Sequence, residues 1–309
     1  MKILSGHHLF VLAALLPLAF SVAAEEERNS ISTTAGADVA QTLTALYSNT
    51  VENCGTDSKP AFLCSGVTLR ATETSASFYP WNPSPGSVTR GGVAFSWLRK
   101  DSNFSRLVYG YGNGFIFYPV LSKPSDKLKI EILCFFPLDS DSLSRGSPGG
   151  CGAHNSYPSS SGLCHELTPK VDTAAGWFSH YTSIADVNYE RHHHQCGFDI
   201  RDKMNYHAGP NFTTGVKARA LLTGRDQTFL NEMLLATWAQ NIPKQLPIMA
   251  FFYINDSSKA KWLADARNDQ QRFYQQTGGQ IAPIIQITLP STASGTATFI
   301  YYDDEQWIK

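Results

Sequence analysis

The sequence predicts an α+β fold, mixed and mostly antiparallel in its strands, with several helices and disulfide staples. Stretches of strand period and of helix period come in clusters instead of strict alternation, which argues against a doubly wound parallel sheet. Charged residues make up only 17 % of the chain, while Ser, Thr, Gly, Pro and aromatics are plentiful, as in proteins rich in strands and loops. Six cysteines, an even number, follow a segment with the form of an export signal.

That segment is residues 1–24. Lys2 supplies a positive start, residues 9–20 are apolar, and Ser21-Val22-Ala23-Ala24 offers small residues before Glu25-Glu26-Glu27. The apolar run is about a dozen residues where a spanning helix needs ~20, so it reads as a cleaved signal and not an anchor. The expectation is a secreted protein, extracellular or periplasmic, with no membrane span. Residues 25–309 then form a single α+β domain with a large central insertion at about 139–211. Lys plus Arg nearly balance Asp plus Glu, 25 against 26, so no nucleic-acid groove is expected.

The elements follow in order. Val39, Leu43, Leu46, Tyr47 and Val51 keep helical spacing, and Asn53-Cys54-Gly55 ends that helix. Residues 62–72 read as a strand with Val67 and Leu69 on one side and Thr68 and Arg70 on the other. A proline-rich loop covers 80–86. Strands are predicted at 93–98 and 106–111, and Asn113-Gly114 signals a hairpin before the strand 115–118. Residues 127–138 form another strand and 139–162 a long Ser/Gly/Pro loop. Helices are expected at 214–223 and 226–240, a strand at 246–254, a helix at 257–276 capped by Gly278-Gly279, and closing strands at 280–289 and 296–302.

After export the six cysteines default to three disulfides, and six allow 15 pairings. Sequence separation favours Cys54–Cys64, tying a helix end to the next strand. Cys151–Cys164 would close the Ser/Gly/Pro loop, leaving Cys134–Cys196. No C-x-x-C pair supports a metal-binding or nucleophilic cysteine.

Several patterns invite a chemical reading. Gly110-x-Gly112-x-Gly114 has the wrong spacing for a dinucleotide loop, and no G-x-S-x-G elbow occurs. His154, His165, His180, His192-His193-His194 and His207 form a histidine-rich stretch. Glu190 and Asp199 could complete a metal site there, although three adjacent histidines cannot all face one ion. A secreted metal-dependent hydrolase built on His154 to His207 is therefore an alternative function, and a secreted binding protein without catalysis is another. Arg70 stands on a strand bordered by apolar residues, so it either reaches a carboxylate or faces a cleft. A guanidinium at a cleft wall suits phosphate.

Three runs near the start of the mature chain are informative together: Pro60-Ala61-Phe62-Leu63-Cys64-Ser65-Gly66-Val67, Gly91-Gly92-Val93-Ala94-Phe95-Ser96 and Asn113-Gly114-Phe115-Ile116-Phe117-Tyr118-Pro119. Asn231-Glu232-Met233, Leu246-Pro247-Ile248-Met249-Ala250-Phe251-Phe252-Tyr253 and Ala264-Asp265-Ala266-Arg267-Asn268-Asp269-Gln270-Gln271 join them. Over most of the mature chain these resemble halovibrins, secreted proteins of Gram-negative bacteria described as ADP-ribosyltransferase or NAD-glycohydrolase enzymes. The resemblance implies an ADP-ribosyltransferase-like core and cleavage of NAD⁺, used as a substrate with no bound cofactor. It also implies a host acceptor protein if ADP-ribose is transferred and not hydrolysed.

In that group an early arginine, a Ser/Thr-containing strand and a late glutamate form the site. Arg70 in Val67-Thr68-Leu69-Arg70-Ala71-Thr72 is similar to the first element and would hold the pyrophosphate. Ser96 in Val93-Ala94-Phe95-Ser96 stands for the second, without the usual S-T-S run. The neighbouring rings Phe95 and Trp97 are the candidates to stack on substrate. The catalytic glutamate would be Glu305 or Glu232, neither in an E-x-E.

Overall fold

The computed structural model describes residues 35–72, 93–102, 104–117, 131–140, 162–183, 191–200, 207–223, 229–236, 248–292 and 295–308; for 131–133 and 236 it describes the backbone alone. The expected signal peptide, the loop at 80–86, Cys151 and His154 lie outside the described residues. The chain is α+β. The elements in chain order are α1 (35–48), β1 (Val67–Ala71), β2 (Val93–Leu98), β3 (Asn113–Phe117), β4 (Glu131–Phe136), α2 (Ala174–Ser183), β5 (Phe198–Asp199), α3 (Ala208–Ala220), β6 (Glu232–Ala236), β7 (Ile248–Ile254), α4 (Lys259–Thr277), β8 (Ile284–Thr288) and β9 (Thr298–Tyr301).

The nine strands make one sheet in the order β5-β4-β6-β2-β1-β3-β7-β8-β9. Among the described strands only β7 and β8 run parallel, and α4 makes the crossover between them. Strand side chains alternate, so the sheet has two cores. Its first face carries Phe95, Trp97, Phe115, Phe117, Phe251, Tyr253 and Met233 under Ala266 and Phe273 of α4 and Phe212 and Val216 of α3. Its second face carries Val67, Leu69, Ile116, Phe252, Ile285 and Ile287 under Ala40, Leu43 and Tyr47 of α1. α3 is fixed from inside by Arg219, whose buried guanidinium donates to the carbonyls of Pro137 (2.7 Å), Phe229 (2.5 Å) and Ser102 (3.3 Å).

Three elements depart from the sequence reading. Residues 232–236, expected inside a helix, form β6. Glu, Met, Leu and Ala are helix formers, but here Met233 and Leu235 fill the first face while Leu234 fills the other. A strand wedged between β2 and β4 is buried on both sides, and that burial outweighs propensity. The strand expected at 106–111 contains a tight turn at Val108–Gly110, where Tyr109 (φ 50°) and Gly110 (φ 70°) are both left-handed. Asn113-Gly114 is no hairpin; it begins β3, which pairs with both β1 and β7.

Cys54 is bonded to Cys64. Cys164 is bonded to Cys196, which overturns the expected Cys151–Cys164 and Cys134–Cys196 pairings. The cause is a parallel bridge between Leu163 and Gly197, with Cys164 N–H donating to Gly197 O (3.0 Å). It brings the two Cα atoms to 4.8 Å, within disulfide reach. Cys134 is disulfide-bonded as well. Among the described residues no helix is long and apolar enough to cross a membrane.

Candidate functional site

Arg70 lies on the first face of β1, half-buried, with Nη1 donating to the carbonyl of Ala94 (2.5 Å). On the same face, two residues to either side, stand Thr68 and Thr72. They are 3 % and 8 % exposed, and neither hydroxyl has a hydrogen-bond partner. A buried hydroxyl without a partner is costly, and these two flank the Arg70 guanidinium along its strand. Phe95 and Trp97 share this face but are core. Phe95 packs edge-on to Phe115, and Trp97 packs on Phe212 while its indole N–H donates to Ser65 O (2.9 Å).

Ser96 stands opposite Leu69 in the β1–β2 register. It therefore projects from the second face, away from Arg70. One step beyond the Phe95–Met233 pair, Glu232 falls beside it on that same second face. Glu232 is buried, and its Oε2 accepts from the N–H (2.9 Å) and hydroxyl (2.7 Å) of Ser140. These bonds tie β6 to the segment after β4.

Glu305 belongs to the first face. It ends the turn Asp303–Glu305 after β9, where its carboxylate accepts from the Tyr253 hydroxyl and pairs with Lys259 Nζ at 3.1 Å. Its backbone carbonyl accepts from Arg267 Nε (2.7 Å). Burial, then the bond to Glu305, push the Tyr253 hydroxyl well above the ordinary tyrosine range. Tyr253 also lies 2.9 Å from the Gln286 amide oxygen. The Tyr253 hydroxyl thus stands between the Glu305 carboxylate and the Gln286 amide oxygen, with the carboxylate as the stronger acceptor.

The expected site thus divides. Arg70 and Glu305 share one face; Ser96 and Glu232 share the other. Tyr253 sits two strands and two residues from Arg70, which strand spacing puts at roughly 12 Å between Cα atoms. Sequence reading missed the polar row that links them. Thr72, Asn113, Tyr253 and Gln286 lie side by side across four strands through the β1–β3, β3–β7 and β7–β8 registers. Its only sequence signal is a polar residue at an inward position of an apolar strand, as in Ile284-Ile285-Gln286-Ile287.

A separate cleft of about 580 Å³ opens beside β5, lined by His165, Lys170, Asp172, Asp199, His207 and Asn211 among others. Two of the expected histidines, His165 and His207, are among its lining residues. His192, His193 and His194 do not line it; they form the turn Arg191–His194, where His180 Nε2 lies 3.3 Å from His194 O. Among the described residues no three His, Cys, Asp or Glu side chains are arranged to hold a metal ion. No family model, curated protein or solved structure matches this chain.

Proposed function

We propose that this chain is a secreted enzyme that cleaves the nicotinamide–ribose bond of NAD⁺, with Arg70 and Glu305 as its two poles. The observation that carries the reading is their common face, with Arg70 set between the two partnerless hydroxyls of Thr68 and Thr72. Guanidinium and hydroxyls suit the oxygens of a pyrophosphate. The sequence resemblance to halovibrins points to the same substrate.

The chemistry needs little proton traffic. Nicotinamide departs with the bonding pair as a neutral amine, so no general acid is required. The ribose becomes oxocarbenium-like, and the Glu305 carboxylate, held in place by Tyr253, stabilises that charge. Water then adds to the anomeric carbon and releases one proton, giving ADP-ribose. A host protein nucleophile in place of water would give ADP-ribosylation. Ser96 and Glu232 support the sheet from its other face.

The test is nicotinamide release from NAD⁺ by the purified, oxidised protein. Glu305→Gln should lower kcat by about 100-fold or more. Arg70→Ala should raise KM about tenfold, and Ser96→Ala should leave KM unchanged. No release by the folded wild-type protein overturns the reading.

A further inference from the structure

The ammonium of Lys259 is lodged in an environment made for a cation. It lies 3.1 Å from Glu305 Oε1, 5.5 Å from the ring centre of Tyr253 and 5.6 Å from that of Tyr302. A carboxylate and two aromatic faces within about 6 Å are the elements of an aromatic cation cage. Lys259 is also the first residue of α4, where the helix dipole disfavours a positive charge. Its side chain is more than one-third exposed, whereas that of Glu305 is largely covered. The ammonium can therefore leave for solvent while the carboxylate stays.

We propose that Glu305, Tyr253 and Tyr302 form a seat for a flat organic cation, and that Lys259 fills it as a built-in competitor. A pyridinium ring would stack on the exposed Tyr302 and place its charge against the outer oxygen of Glu305, displacing Lys259. The inner oxygen keeps its bond to Tyr253, so the exchange costs the fold little. Identifying that cation with the nicotinamide end of NAD⁺ rests on the function proposed above; the seat itself does not.

The experiment uses the 1-methylnicotinamide cation as probe, titrated calorimetrically at low salt into the full oxidised protein. A half-exposed ion pair is a weak competitor, so Lys259→Gln should tighten binding about fivefold. Adding Glu305→Gln to Lys259→Gln should weaken it at least about tenfold. Tyr302→Leu, at a position 38 % exposed where folding is not at stake, should weaken it about threefold. Neutral nicotinamide should not compete. Equal affinities in wild type and Lys259→Gln, undiminished binding in the double variant, or competition by nicotinamide each overturn the seat. If the probe behaves as expected while NAD⁺ is left uncleaved, the seat stands and the NAD⁺ reading falls.

Discussion

Gln306 illustrates how much a single side chain can hold in this protein. Its amide oxygen accepts from the N–H of Ile284 (2.7 Å) and from Gln270 Nε2 (3.1 Å), and its NH₂ donates to Ile284 O (3.0 Å) and Tyr302 O (2.9 Å). All four hydrogen-bonding positions of the amide are used, and the side chain acts as a strand partner for Ile284 of β8. Gln306→Ala would leave both backbone groups of Ile284 unsatisfied and take one acceptor from the buried Gln270 amide, which keeps Ala282 O (2.7 Å). We expect a loss of about 2–4 kcal/mol, read as a lower urea midpoint with unchanged slope. Gln306→Glu should cost more, because a carboxylate cannot donate to either carbonyl and its charge would be buried. The sequence gives no hint of this role, since an isolated glutamine near a chain end carries no local signature.

At the scale of elements, legibility tracks whether a segment's local pattern and its surroundings agree. α4, β7, β8 and β9 were readable because amphipathic period, caps and burial point the same way, as with Gly278 at φ 69° ending α4. α1 was readable in its body alone: it ends at residue 48, before Val51 and the expected stop at Asn53-Cys54-Gly55. β6 was not, because helix-forming residues are placed between two strands. The candidate site was half readable for the same reason. The alternation in β1 correctly sets Arg70 against Leu69, but whether Ser96 joins Arg70 depends on a register that only the β1–β2 pairing supplies. Gly114 shows the converse case, a turn-like signal that serves a strand. A Cβ there would lie 2.0 Å from Arg70 O and 2.9 Å from Ala71 Cα, both backbone atoms that cannot yield. The glycine is needed for the close approach of β3 to β1. Gly114→Ala should therefore destabilise by about 1–3 kcal/mol, and the affinity for NAD⁺ should fall with it because the shift is centred on Arg70. Unchanged denaturation would show that the two strands can separate freely.

Across the whole molecule, the chain is closed by tyrosines whose protons the fold retains. Tyr301, at the end of edge strand β9, is pushed up to about 12 by burial and then by its bond to Asp303. Tyr253, on the inner strand β7, is raised further by burial and by Glu305. An unfolded tyrosine titrates near pH ~10. Below that value both states hold the proton and stability is full. Above it the unfolded chain loses protons that the native state keeps, so stability falls as pH rises toward the native values. Denaturant titrations at pH about 9 and about 11 should show the loss, and the phenolate absorbance that wild type has in excess of Tyr253→Phe should rise together with unfolding instead of before it. Tyr253→Phe removes the more strongly raised group and should flatten this dependence while also lowering stability at neutral pH, because Glu305 then loses its inner donor. Tyr301→Phe should flatten it less. A phenolate signal at about pH 10 that wild type shows and Tyr253→Phe lacks, in protein still fully folded, would mean that the Tyr253 hydroxyl is open to solvent, and its bond to Glu305 would lose its basis.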